Sequence, residues 1–341
     1  MRIVFKTSGE RNGYLHYITG FLAVILVIAT ILLTVSYFER KDNNYVEDTD
    51  SFKQYITYKD ARYRLKDELD TFLLIGLDKT EEQVKEHDSY NNDQLSDFVM
   101  LFVVDNDNST CKAIHLNRDT IVEMDRLGVA GDKVGTTKKQ LAFAHTYGNG
   151  KEVSCRNVAT AVSRLFGGIK IDYYLSMTMD GVPVYNDLLG GVTVEINDDF
   201  GDFDSTLVKG ETVTLLGEHA LNFVRGRKDV ADSTNINRME RQRTYIKSAF
   251  DKTRECIKAD DGFAANAALK MADYIVSNCS ATRMQNLLRT VSQFSLDNVL
   301  TIDGKSVEGE KYMEFYADED ALQKLLIDVF YEKDTKRFLS R

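Results

Sequence analysis

The feature that most constrains this chain is an apolar run near its start. From Gly13 to Phe38 there is no Asp, Glu, Lys or Arg, and Ile18–Phe38 (ITGFLAVILVIATILLTVSYF) is 21 residues of almost wholly apolar sequence. A helix of ~20 such residues spans the hydrocarbon core of a bilayer. A cleaved signal peptide has a shorter apolar region, ~7–15 residues, ending in a small-x-small site. Here Tyr37, Phe38, Glu39 and Arg40 follow instead. Residues 14–38 therefore read as an uncleaved transmembrane signal anchor. The 1–13 tail carries Arg2, Lys6 and Arg11 against Glu10, and the positive-inside rule places that tail in the cytoplasm. The expectation is a single-pass protein of the cell membrane, held in the lipid bilayer through its N-terminal helix, with everything from residue 39 extracellular.

The remainder is long enough for a sizeable domain, since 341 residues correspond to about two domains. The 43 basic and 53 acidic residues give a net charge of −10. That balance is the reverse of a nucleic-acid binder's, so no nucleic acid is expected as a partner. Any anion site must be a local basic cluster. The four cysteines, Cys111, Cys155, Cys256 and Cys279, form no CxxC, which argues against zinc ribbons and thioredoxin-like chemistry. Outside the cytoplasm they are permitted to pair, and four cysteines leave three pairings open. The five histidines show no HxxxH spacing, so a zinc hydrolase of that type is not expected.

Residues 39–70 are polar and carry charges of both signs, and they read as an extracellular stalk, partly helical around Tyr58–Leu69. Globular character begins at Thr71. Phe72–Gly76 and Phe98–Val104 are short apolar runs of buried-strand type, and Cys111–Leu116 is a third. Asp105-Asn106-Asp107-Asn108 is turn chemistry and makes a hairpin of the second and third. Thr137–Tyr147 and Val153–Phe166 suit helices, the latter stopped by Gly167-Gly168. Tyr173–Met179 is strand-like, Val182–Leu189 a helix ended by Gly190-Gly191, and Val192–Ile196 a strand. Helices are expected over Glu218–Val224 and Asn237–Thr253, twice within 262–292, and over Asp318–Tyr331, whose Leu322, Leu325, Leu326, Val329 and Phe330 share a face. Strands and helices alternate without a strict βαβ rhythm, which favours a mixed sheet with helices on both faces.

Three clusters can carry chemistry. Asp78 follows the first strand and Asp97 begins the second, so two carboxylates at adjacent strand ends can face one cleft and hold a hard cation such as Mg²⁺. Arg118, in Leu116-Asn117-Arg118-Asp119-Thr120, follows the third strand and reaches the same rim. Residues 225–243 (RGRKDVADSTNINRMERQR) contain six basic residues against three acidic ones. Arg225 and Arg227 are placed in a loop just past a helix. Arg238 and Gln242, i and i+4, share a face of the next helix, with Arg241 near it. Arginine presents a planar fork of donors matched to phosphate oxygens, so this arrangement can clamp a pyrophosphate.

Taken together these segments resemble the LytR-CpsA-Psr family of membrane-anchored cell-wall ligases over roughly residues 71–254. Leu73–Asp78 is similar to the family's opening strand with its Asp, and Ser96-Asp97 followed by Arg118-Asp119-Thr120 to its central motifs. Ile171-Asp172-Tyr173-Tyr174 through Asp180-Gly181 to Leu189–Val194 resembles the middle signature. Gly217–Leu221, Arg225-Gly226-Arg227, Arg238 and Arg241-Gln242 resemble the third.

The resemblance implies a three-layer α-β-α fold with a central mixed, largely antiparallel sheet. It implies a catalytic domain at 71–254, with 255–341 a C-terminal helical extension packed on it. The implied activity is transfer of a glycopolymer phosphate, whether of teichoic acid, capsule or another wall glycan, from a polyprenyl-pyrophosphate carrier to peptidoglycan with Mg²⁺. By position, Asp78 and Asp97 hold the metal. Arg118, Arg225, Arg227 and Arg238, with Gln242, are the catalytic and phosphate-binding groups, and Arg241 adds to the pyrophosphate site. Three departures stand out: Leu95 where the family usually has Arg, Asn235 where it often has Asp, and a long stretch between Asp78 and Asp97. Lys138 or Lys139 is a candidate to replace the missing Arg, and Asp232 or Asp119 the missing carboxylate. Two other activities use the same residues: a carrier-lipid binding protein without transfer, and a pyrophosphatase that releases polyprenyl phosphate to water.

Overall fold

The computed structural model describes residues 54–78, 92–128, 131–226, 230, 235–280, 282–286, 296 and 299–334. The expected tail and transmembrane anchor lie outside these residues. Among the described residues no helix is long and apolar enough to cross a membrane.

Strands β1 (Tyr55–Tyr58), β2 (Ala61–Leu65), β3 (Leu69–Leu77), β4 (Ser96–Asp105) and β5 (Thr110–Leu116) come first. They are followed by β6 (Ile121–Leu127), β7 (Lys133–Gln140) and a 3₁₀ turn at Leu141–Thr146. Helix α1 (Glu152–Leu165), β8 (Tyr173–Met177), α2 (Gly181–Leu188), β9 (Val192–Glu195) and β10 (Thr212–Leu215) lead to α3 (Glu218–Arg225) and the 25-residue α4 (Asn235–Ala259). The chain closes with α5 (Phe263–Met271), β11 (Ile275–Ser277), β12 (Val299–Thr301), β13 (Gly304–Glu308), β14 (Met313–Ala317), α6 (Glu319–Phe330) and β15 (Tyr331–Lys333).

The central sheet has six strands in the order β11-β8-β3-β4-β5-β12. It is mixed. β3–β4, β4–β5 and β8–β11 pair antiparallel, and β3–β8 and β5–β12 parallel. Successive strand residues face opposite sides. Leu73, Ile75, Val99 and Leu101 therefore pack with Val158 and Val162 of α1 on one side. Phe98, Met100 and Phe102 meet Ile246 and Phe250 of α4 on the other. Both faces are apolar, which is why β3 and β4 read as nearly continuous hydrophobic runs. α1 stops at Gly167 and Gly168, whose φ of 68° and 92° glycine adopts without strain.

Three sequence expectations are corrected. Tyr58–Leu69 is not a helical stalk. β1 and β2 form a hairpin turned by Lys59 and Asp60, both at positive φ (46° and 63°), the twist a two-residue hairpin loop requires. β2 then pairs with β15, so the chain end closes onto this hairpin. Thr137–Tyr147 is not one helix, because Gly135–Gln140 pairs in register with Ile121–Arg126 of β6 and only Leu141–Thr146 coils. The region past 254 is not purely helical, since β11 and β12 form the two edges of the central sheet and β13–β14 a separate hairpin. All four cysteines are thiols, with Cys111 and Cys155 pushed up to about 12 by burial.

His115 of β5 is 1% exposed and lies 4.8 Å from the Phe98 ring. Burial first, then the charges of Arg243 and Arg238, lowers its pKa to about 3. The unfolded chain therefore binds the proton more readily between ~6.5 and the folded value. This contribution to stability is complete above ~6.5 and is lost as pH falls, at up to ~1.4 kcal/mol per pH unit. The urea midpoint, followed by circular dichroism, is expected to drop between about pH 7 and pH 5. His115→Phe should shrink that drop, and a variant that keeps all of it would remove His115 as the cause.

Candidate functional site

The site forms where β3 and β4 end. Gly76 pairs with Phe98 but Leu77 pairs with Ser96, so Asp97 is the extra residue of a bulge. Bulges re-aim side chains beside functional sites. Here Asp97 becomes the acceptor for two guanidinium groups. Arg118, just past β5, donates to one carboxylate oxygen, and Arg238 of α4 donates to the other at 3.2 Å. Arg118 also lies 3.6 Å from Asp119. Arg238 is 6% exposed, so the cost of burying its charge is offset by these partners.

Asn235, at the start of α4, completes the cluster. Its side-chain amide donates to Asn117 (3.0 Å) and Asp119 (3.3 Å), and its carbonyl accepts from Arg238 at 2.7 Å. An aspartate here would set a second carboxylate against Asp119. The amide satisfies an acid on one side and a guanidinium on the other. Asp119 is the nearby carboxylate among the described residues, while Asp232 lies outside them.

Arg225 is the last residue of α3 rather than part of a loop beyond it, and it is exposed with no carboxylate partner among the described residues. α3 is held by Asp204, which accepts from His219 (2.8 Å) and Asn222 (3.0 Å). Burial would raise the Asp204 pKa, but the bonds from Thr206, His219 and Asn222 outweigh it and bring it to about 2. Gln242 is 8% exposed. Its amide donates to the Val224 carbonyl at 3.2 Å, and its Oε1 has no partner among the described residues.

Arg241 does not join this group. Three residues on from Arg238, it points to Asp198 and also donates to the carbonyls of Phe223 (3.1 Å) and Gly226. Its guanidinium stacks 5.4 Å from the Phe200 ring. Its donors go to the C-terminal end of α3 and to Asp198 between β9 and β10, so they fix the helix end that carries Arg225. Arg227 lies outside the described residues. Lys139 sits 5.6 Å from the rings of both Phe143 and Tyr147.

Asp78 is exposed at the end of β3, and its backbone N–H donates to the Leu95 carbonyl at 2.9 Å. Asp78 and Asp97 thus stand at neighbouring strand ends. Among the described residues no group of three or more His, Cys, Asp or Glu is placed to hold a metal. Two carboxylates are the donor set Mg²⁺ takes when substrate phosphates and water fill its other positions.

Sequence reasoning left the neighbouring cavity undescribed. Its volume is about 370 Å³, and Asp97, Arg225, Arg238 and Gln242 stand along its wall. Most of its remaining lining is apolar, with Leu74, Phe102 and Leu175 from the sheet and Ile246, Phe250 and Phe263 from the helices. α4 lines it from Arg238 to Ile257, about 28 Å at 1.5 Å per residue. Gly76 also borders it, and a Cβ there would lie 2.9 Å from the Phe98 Cβ. Charged donors on the wall of a long apolar chamber suit an amphiphile with an anionic head.

The family model LytR_cpsA_psr matches residues 32–328. The chain belongs to the LytR-CpsA-Psr family. Among curated relatives, "Cell wall biosynthesis protein LcpA" of Corynebacterium glutamicum is 27% identical over 241 residues, covering 63% of this chain and 45% of the relative. "Polyisoprenyl-teichoic acid--peptidoglycan teichoic acid transferase TagV" of Bacillus subtilis is 26% identical over 235 residues, covering 66% and 56%. The chain thus spans about half the length of the curated relatives it matches. Its fold is similar to the crystal structure of B. subtilis TagV (TM-score 0.59, 22% identity, 77% of this chain and 96% of that one). It is also similar to the structure described as TagT bound to LI-WTA (TM-score 0.56, 21% identity, 76% and 89%). The mixed α/β architecture built on a central mixed sheet is that of this LytR-CpsA-Psr group.

The different settings of Arg225 and Arg241 predict different failures. A hydrogen bond to a charged group contributes ~1.5–3 kcal/mol, so Arg225→Ala should weaken binding of an amphiphile with a phosphate head about tenfold or more. Its melting temperature should stay unchanged. Arg241→Ala removes a buried partner of Asp198 and should lower the melting temperature by several degrees. Calorimetric titration and thermal denaturation of the two variants check this, and equal melting temperatures would contradict it.

Proposed function

We propose that this LytR-CpsA-Psr protein transfers a glycopolymer phosphate from a polyprenyl-pyrophosphate carrier to peptidoglycan, as the full name of B. subtilis TagV states for teichoic acid. The observation that carries the reading is the Asp97–Arg118–Arg238 cluster set against an apolar cavity. The cavity suits the polyprenyl chain and the arginines its diphosphate. We further propose that residues 14–38 anchor the protein in the membrane with the catalytic domain outside, where carrier and wall meet.

Phosphoryl transfer needs little covalent help from the protein; positioning and charge neutralisation do most of it. An acceptor hydroxyl, in this reading that of a muramic acid residue, attacks the phosphorus joined to the glycan. Its oxygen forms the new P–O bond and its proton passes to a carboxylate, for which Asp119 is placed. The bond from that phosphorus to the bridging oxygen breaks, and polyprenyl phosphate leaves with the electron pair. Arg118 and Arg238 then face the equatorial and bridging oxygens on which charge builds. Arg225 and the Gln242 side chain hold the diphosphate at the cavity. Asp78 and Asp97 are the residues that would hold Mg²⁺, which neutralises diphosphate charge when bound.

The test uses the full chain with Mg²⁺, a short lipid-pyrophosphate-linked glycan and a peptidoglycan oligomer, with products read by mass spectrometry. A glycan–phosphate–peptidoglycan adduct is expected, and Arg118→Ala should reduce its formation at least about a hundredfold. Excess EDTA should suppress it too; undiminished transfer in EDTA would exclude a required metal at Asp78 and Asp97. Free glycan phosphate without adduct would show a pyrophosphatase. Bound lipid without turnover would show a carrier-binding protein.

A further inference from the structure

A second, smaller pocket of about 140 Å³ lies beside Arg118. Phe143, Tyr312, Met313 and Leu95 give it apolar walls, and Gln140 and Asp119 a polar edge. Arg118 therefore stands between two spaces. It lines the small pocket, while its partner Asp97 lines the large apolar cavity.

The small pocket is assembled from distant parts of the chain. Tyr312 and Met313 belong to the β13–β14 hairpin, outside the central sheet. The hairpin is fastened at the site itself. The Phe315 N–H donates to the Asp119 carbonyl at 2.8 Å, and the Gln140 amide donates to the Met313 carbonyl at 3.3 Å. Thr120 and Phe315 form a parallel bridge. The Tyr312 and Phe143 rings lie 5.7 Å apart at 51°, and Tyr312 is 60% exposed. A large aromatic ring held exposed at a pocket mouth, beside one carboxylate, one guanidinium and one amide, matches a pyranose. A sugar offers an apolar C–H face to the ring and hydroxyls to the polar edge.

We propose that this pocket binds one sugar ring of the acceptor and so presents its hydroxyl to the phosphate held by Arg118. The proposal rests on the transferase reading above. The pocket suits the acceptor better than the donor's own glycan because in-line displacement puts nucleophile and leaving group on opposite sides of the phosphorus. The leaving polyprenyl phosphate extends into the large cavity, so the nucleophile approaches from the Arg118–Asp119 side. Leu95 fits this role. An Arg at that position would fill the pocket with charge, whereas Leu leaves an apolar wall for a sugar face.

The experiment compares the full chain with Tyr312→Ala, Tyr312→Phe and Tyr316→Ala, the last on the same hairpin but outside the pocket. Two quantities are read: binding of a muramic-acid-containing tetrasaccharide by saturation-transfer NMR without donor, and the KM for the peptidoglycan oligomer with donor saturating. Tyr312→Ala should weaken tetrasaccharide binding and raise the acceptor KM about tenfold, the scale of one aromatic contact, with affinity for the lipid-linked donor unchanged. Tyr312→Phe should keep most of the binding, and Tyr316→Ala all of it. Unchanged tetrasaccharide binding in Tyr312→Ala would overturn the pocket assignment even if the wild-type protein transfers. A loss of donor affinity with acceptor KM intact would overturn it in favour of a donor-sugar site. Tetrasaccharide binding that depends on Tyr312, in a protein that forms no adduct, would keep the saccharide site and remove the transferase reading instead.

Discussion

Everything at this site depends on one carboxylate shared by two arginines. Arg118 enters from the end of β5 and Arg238 from the opposite face, on α4. Two guanidinium groups brought together inside a protein repel and lose hydration, and neither cost is offset by packing alone. Asp97 offsets both by accepting from each. Its position comes from the β3–β4 bulge, so a backbone irregularity of one residue fixes the electrostatics of the centre. The pair is thereby aimed before any anion arrives, and little reorganisation is left for the moment of binding. Asn235 extends the same logic to Asp119, which is tied to Arg238 through an amide.

How much of this was legible follows from how local each signal is. β3, β4 and β5 could be read because burial on both faces leaves continuous apolar runs, and α1 and α2 because paired glycines end them. β7 was misread because Lys138, Lys139 and Gln140 are ordinary helix formers. Only pairing with β6, invisible in one sequence, makes the segment a strand. β11 and β12 are three residues each and owe their existence to the sheet edges they complete. The β1–β2 hairpin looked like a stalk because its charged residues alternate on a surface ribbon, and its partner β15 lies at the other end of the chain.

The site residues show the same division. Arg118 and Arg238 were legible from their spacing, since a residue just past a strand and one in the first turn of a helix have few directions to point. Arg241 was not. Three residues along an α-helix rotate the side chain by about 300°, which swings it off the Arg238 face towards Asp198, a residue no spacing rule connects to it. Gln242, at about 400°, stays on that face. The lipid-sized cavity was unreadable for a further reason. Its walls come from four sheet strands, β3, β4, β8 and β11, and from helices α2 to α5, and each contributes residues that read as plain core.

Two of the three departures from the family pattern look different once placed. Read in isolation, Leu95 and Asn235 suggest a weakened enzyme. In the fold they occupy opposite ends of one small region around Arg118 and Asp119. Asn235 donates to Asp119, where a second carboxylate would repel it, so the exchange of acid for amide replaces a like-charge contact with a hydrogen bond. Leu95 meets Phe143, Tyr312 and Met313 in a pocket to which the C-terminal hairpin contributes half the apolar wall. A charged residue in place of Leu95 would need a partner that this wall does not offer. The departures are therefore mutually consistent: charge has been withdrawn on both sides of Arg118, and an aromatic surface has been built where one of those charges would stand.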